Sequence, residues 1–91
     1  MRVLLVDDEP LALRRLEILL SRRPWVDVVA AVRDGHAAAK AARELNPDVV
    51  FLDIQMPQLD GFEIASILSQ TVRPEIIFVT AYEAHAVKAF E

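Results

Sequence analysis

Cysteine is missing from this 91-residue chain, which excludes disulfides and thiolate metal sites and fits a reducing compartment. Long apolar runs are missing as well. Although 54% of the residues are hydrophobic, no stretch approaches the ~20 residues that a membrane-spanning helix needs. Only four strongly apolar residues follow Met1-Arg2 before the first acids. That start has neither a signal-peptide core nor a transit-peptide composition, so the expectation is a cytoplasmic domain without membrane contact. Positive charge is in deficit, and a net charge of −4 argues against this domain itself gripping nucleic acid, because phosphate-backbone binding rests on clustered Lys and Arg. Arg14, Arg15, Arg22 and Arg23 come nearest to a basic patch and read as a solvated helix face. The length allows one domain, residues 1–91, with a small core, since folding at this size buries only somewhat more than ~60% of the unfolded surface.

Two apolar runs that end in acid dominate what is present. Val3-Leu4-Leu5-Val6 stops at Asp7-Asp8-Glu9, and Val49-Val50-Phe51-Leu52 stops at Asp53. Short runs of this kind, rich in β-branched residues, read as strands buried on both faces, with the carboxylates at their ends. If the two strands are neighbours, Asp7, Asp8 and Asp53 converge on one crevice with no lysine or arginine beside them in sequence. Carboxylates ~4 Å apart repel by ~4 kcal/mol per pair at an effective dielectric near 20, so such a trio raises a pKa or recruits a cation. Oxygen-only ligands select Mg²⁺ or Mn²⁺ over zinc.

Between these runs the chain alternates strand and helix patterns, the mark of βαβ units around a parallel sheet. Strands are expected over residues 2–6, 26–32, 48–52 and 76–79. Pro10 opens a first helix whose Leu13, Leu16 and Leu20 form one stripe, ending near Pro24. Asp34 is placed to N-cap an alanine-rich second helix that ends near Asn46-Pro47. Residues 57–61 read as a loop, Phe62 to Leu68 as a third helix, and Glu83 onward as a fourth. The expected class is α/β, a doubly wound parallel sheet of flavodoxin-like order 2-1-3-4 with its switch point between strands one and three, where such sheets hold their ligands.

Val6-Asp7-Asp8-Glu9-Pro10, Asp53-Ile54-Gln55-Met56-Pro57 with Asp60-Gly61, and Thr80-Ala81 after the fourth strand resemble the receiver domain of bacterial two-component response regulators, from Arg2 to the end of the chain. The run from Phe78 to Phe90 further resembles receivers attached to LytTR-type DNA-binding output domains. The resemblance implies a phosphoacceptor switch rather than an enzyme. Asp53 would take a phosphoryl group from the phosphohistidine of a sensor histidine kinase, as a carboxylate nucleophile. Asp8, Asp53 and the backbone carbonyl of Gln55 would hold Mg²⁺ (or Mn²⁺), with Asp7 reaching the ion through water. Thr80 would donate its hydroxyl to a phosphoryl oxygen, helped by the Ala81 amide, while Gln55 and Tyr82 would flank the pocket. Transcriptional output would then lie with a C-terminal DNA-binding domain, and this domain would not touch nucleic acid directly.

Receivers normally add a fifth strand and helix, with an aromatic switch residue and a lysine at the start of that strand. Neither lies within the 91 residues, and Lys88 does not correspond to that lysine. The expectation is therefore a receiver truncated at its C-terminus, which forms a two-fold dimer to cover the edge of its fourth strand.

Plainer roles compete at several positions. Asp7 and Asp8 could be a helix-capping acid pair, and Thr80 an ordinary cap. His36 and His85 read as helix-surface residues, Trp25 and Met56 as packing residues, and Tyr82 as pocket rim or partner surface. Two other functions fit the acids: a Mg²⁺-dependent phosphohydrolase of haloacid-dehalogenase type, in which Gln55 occupies the place of the second acid, and a phosphorylation-independent interaction module.

Overall fold

The computed structural model describes residues 1–53 and 74–79. Within them β1 (Arg2–Val6), α1 (Pro10–Ser21), β2 (Asp27–Val32), α2 (Gly35–Leu45), β3 (Val49–Asp53) and β4 (Glu75–Val79) follow in chain order. The strands form one parallel sheet of order β2-β1-β3-β4. The expected order and switch point are therefore observed. The third and fourth predicted helices and the loop at 57–61 lie outside the described residues.

Strand alternation sends successive side chains to opposite faces, and it divides the core in two. Val3, Leu5, Val49 and Phe51 pack with Leu13, Leu16 and Leu20 of α1 on one face. Leu4, Val6, Val50 and Leu52 pack with Ala38, Ala39, Ala41 and Ala42 of α2 on the other. The helical stripe expected from the leucine spacing is thus the buried one, and small alanines let α2 lie close to the sheet. β1 and β3 are sealed on both sides, with Val3 to Val6 at 0–2% exposure. The central pair is in consequence a rigid platform for whatever follows its carboxyl ends.

Local chemistry sets where each element stops. Glu9 is the N-cap of α1, with its side chain accepting from the Leu11 N–H at 3.3 Å, and Pro10 occupies the first turn where a missing N–H costs nothing. Asp34 caps α2 by accepting from the Ala37 N–H at 2.7 Å. Asn46 closes α2 in the left-handed region at φ 47°, a conformation that Asn tolerates, and Pro47 prevents continuation. The Arg2 guanidinium donates to the last helical carbonyl, Leu45 O, at 2.6 and 3.2 Å, while the Arg2 N–H donates to the Asp48 carboxylate at 2.8 Å. Asp34→Ala should cost ~1 kcal/mol of stability through loss of that cap, read as a lowered urea midpoint at unchanged slope.

β2 begins at Asp27 rather than Val26, and its pairing with β1 slips by one residue, Val3 opposing Val28 and Leu4 opposing Ala30. Val29 is the extra residue, a bulge on the sheet's outer strand, where bulges spoil edges for unwanted pairing. Trp25 departs from the packing role expected of it. It precedes β2 and is 47% exposed, its carbonyl accepting from the Met1 amino group at 2.7 Å. Among the described residues no helix is long and apolar enough to cross a membrane.

Candidate functional site

β1 and β3 are hydrogen-bonded neighbours with Val6 opposite Leu52, so each strand delivers its next residue to the same point above the sheet. Those residues are Asp7 and Asp53. Asp8 follows in the turn before α1. Carboxylate oxygens of Asp7, Asp8 and Asp53 all lie within 4.8 Å of one another. The trio grades outward from buried Asp7 through half-buried Asp53 to exposed Asp8. The convergence expected from sequence is observed for all three.

Asp7 is the electrostatically costly member. Its N–H is spent on the Val32 carbonyl at 3.1 Å, which stitches it to β2, and its Oδ1 accepts from the Glu9 N–H at 2.9 Å. Burial pushes its carboxyl from 3.8 up to about 6, the Glu9 N–H opposes that rise, and the charge and hydrogen bonding of Asp53 and the charge of Asp8 add to it. Helix capping does not account for the acids, because the cap of α1 is Glu9.

The donor set suits a small hard dication. Octahedral Mg²⁺ binds oxygens at ~2.1 Å, which places opposite ligands ~4.2 Å apart, close to the spread of these oxygens. Among the described residues no thiolate or imidazole donor joins the cluster, which disfavours zinc. A cation there would relieve the like-charge repulsion that adds to the burial-driven rise of the Asp7 carboxyl.

Gln55, Thr80, Ala81 and Tyr82, together with Met56 and His85, lie outside the described residues. β4 does reach the level of the cluster, since Val79 is the partner of Asp53 in the β3–β4 ladder. His36 is exposed on α2, as expected of a surface residue. Sequence reasoning overlooked Arg33. It follows Val32, the partner of Val6, and so stands one strand away from Asp7 although it is 26 positions distant in the chain.

Residues 3–91 match the family model of the response regulator receiver domain. The transcriptional regulatory protein BtsR of Salmonella typhi is 47% identical over 90 residues, covering 99% of this chain and 38% of the relative. BtsR of Escherichia coli K12 is 42% identical over 90 residues with the same two coverages. This chain therefore spans about two fifths of the length of these curated relatives. Among solved structures, the response regulatory domain of mrkE from Klebsiella pneumoniae superposes with a TM-score of 0.75 at 37% identity, covering 99% of this chain and 75% of that one. The signal receiver domain of NarL from Mycobacterium tuberculosis gives 0.78 at 30% identity, with coverages of 96% and 75%.

Proposed function

The chain belongs to the response regulator receiver family, signalling modules rather than enzymes, and we propose that its acidic crevice is a phosphoacceptor site centred on Asp53. The observation that carries this reading is the convergence of Asp7, Asp8 and Asp53 at the ends of two adjacent buried strands. Asp53 terminates β3 and is half-buried, which suits a nucleophile held still but open to a donor. One carboxylate oxygen of Asp53 attacks the phosphorus of a phosphohistidine, the new O–P bond forms as the N–P bond breaks, and the imidazole leaves with the bonding pair.

Asp8 and Asp53, with the Gln55 carbonyl, would hold Mg²⁺ or Mn²⁺, and Asp7 would take an outer place through water. When bound, the cation supplies positive charge that screens the carboxylates and stabilises the transferring phosphoryl oxygens. Thr80 and the Ala81 amide are assigned to the phosphoryl oxygens by the family pattern, and Gln55 and Tyr82 to the rim that controls access of water. The partners of this reading are a sensor histidine kinase and a second copy of the chain. The BtsR relatives are transcriptional regulators by name, which supports transcriptional output, and the same reading assigns that output to a LytTR-type DNA-binding domain and the protein to the cytoplasm.

Incubation with acetyl phosphate and Mg²⁺ tests the proposal. It requires one phosphoryl group per chain, stable in acid and released by alkali. Multiple turnover without an adduct would instead identify a phosphohydrolase, and no reaction an interaction module. Asp8→Asn should weaken Mg²⁺ binding by at least ~10-fold, judged against the loss caused even by outer partners of metal ligands. Isothermal calorimetry at pH 7.5 measures this directly, and an unchanged affinity would remove Asp8 from the metal site.

A further inference from the structure

Three carboxylates suit a cation, but they repel the anion that must follow it. A phosphodonor brings a phosphoryl group carrying about two negative charges near neutral pH, and a divalent cation does not outweigh three acids and a dianion together. The described strand ends supply one candidate to redress this. β1 is followed by Asp7, Asp8 and Glu9, and β3 ends on Asp53, whereas β2 is followed by Arg33. Among the described residues Arg33 is the Lys or Arg that directly follows a strand's carboxyl end.

Its placement is fixed from both sides. Val32 pairs with Val6 and its carbonyl accepts from the Asp7 N–H at 3.1 Å. Asp34, the next residue, is held in place by capping α2, its Oδ1 accepting from the Ala37 N–H. Arg33 itself is exposed. The crevice between β1 and β3 lies one and a half strand spacings away, ~7 Å at ~4.8 Å per strand, within the span of an extended arginine and inside the ~8 Å screening length of physiological salt.

Resting on the phosphoacceptor reading above, we infer that Arg33 is a steering residue that draws the anionic phosphoryl end of the donor into the acidic crevice and offsets its repulsion there. It acts on capture of the donor and leaves the chemical step to Asp53. The same charge opposes the divalent cation weakly, so its removal should ease metal binding while impeding the donor.

Phosphorylation of the protein by acetyl phosphate at saturating Mg²⁺ tests this. In that reaction the Asp53 oxygen forms its bond to phosphorus as the bond to the acetate oxygen breaks and acetate leaves with the electron pair. Arg33→Glu should lower the second-order rate constant about fivefold at ~0.15 M salt, and more at lower salt, from Coulomb's law in water with screening over ~7 Å. The plateau rate at saturating donor should stay unchanged. Arg33→Lys should keep the parent rate, and the deficit of Arg33→Glu should largely vanish near ~1 M salt, where the screening length is ~3 Å. A rate for Arg33→Glu equal to the parent's at low salt, or a deficit that persists at high salt or is shared by Arg33→Lys, overturns the inference while leaving the phosphoacceptor reading standing. A parent chain that takes no phosphoryl group overturns that reading and the role of Arg33 with it.

Discussion

Asp53→Asn should incorporate no phosphoryl group from acetyl phosphate or from a histidine kinase, while folding at least as stably as the parent. An amide oxygen carries no negative charge and forms no stable acyl phosphate, so the loss is complete rather than graded. The fold should tolerate the change. Asn has nearly the shape of Asp, the backbone pairing of residue 53 with Val79 does not depend on the side chain, and one of three mutually repelling charges disappears. The two consequences must therefore separate: phosphoryl labelling falls to background, and thermal stability without Mg²⁺ stays level or rises. A labelled Asp53→Asn protein would move the acceptor to another carboxylate, with Asp8 the next candidate because it is the exposed member of the cluster. A variant that fails to fold would mean instead that Asp53 is chiefly structural.

The architecture was readable because the hydrophobic pattern of this chain is locally consistent. Four-residue apolar runs, two of them ending in acid, have few homes other than the centre of a parallel sheet, and the leucine stripe of α1 and the alanines of α2 each fit one face of it. Strand boundaries were less legible, since they depend on partners. Asp48 was expected to open β3, but its carboxylate is engaged by the Arg2 N–H, and the strand runs from Val49 through Asp53 because Val79 supplies a ladder partner for Asp53. Trp25 misled for a related reason. Aromatic residues default to the core, yet a position between the end of α1 and the start of β2 puts this one at the rim of the sheet.

The site divides in the same way. Asp7, Asp8 and Asp53 were visible because strand ends can be read from pattern, and their convergence needed only that β1 and β3 be neighbours. Arg33 was invisible because proximity across a ladder is a property of register, which no local stretch of sequence encodes. The unequal character of the three acids was hidden as well. Nothing in Asp7-Asp8 distinguishes the buried residue from the exposed one, and that distinction appears only once Asp7 is tied to the Val32 carbonyl and buried while Asp8 stays exposed.

That hidden asymmetry predicts a stability profile opposite to the usual one for carboxylates. The Asp7 carboxyl rises from 3.8 to about 6 on folding, so between these values the native protein holds a proton that the unfolded chain has lost. The contribution of Asp7 to stability must then fall as pH rises through this window, with the cost complete above pH ~6. At ~1.4 kcal/mol per pH unit the gap amounts to at most ~3 kcal/mol, and less in practice because solvent reaches the neighbouring acids. Asp7→Asn keeps an oxygen to accept from the Glu9 N–H, can donate to Asp53, and never ionises. In EDTA at pH 7.5 it should therefore be more stable than the parent by ~2 kcal/mol, a rise in melting temperature on the order of 10 °C for a domain of this size, and should match the parent near pH 4. Saturating Mg²⁺ should reverse the order at pH 7.5, since the ionised Asp7 that is a liability without metal becomes part of an anionic cluster that the cation neutralises. Parallel thermal melts of both proteins at pH 4, 5, 6 and 7.5, with and without Mg²⁺, decide the matter. A stability difference between the two proteins that does not grow from pH 4 to 7.5 without metal, or an Asp7→Asn protein that melts below the parent at pH 7.5, would show that the fold has solvated Asp7 well enough to carry its charge.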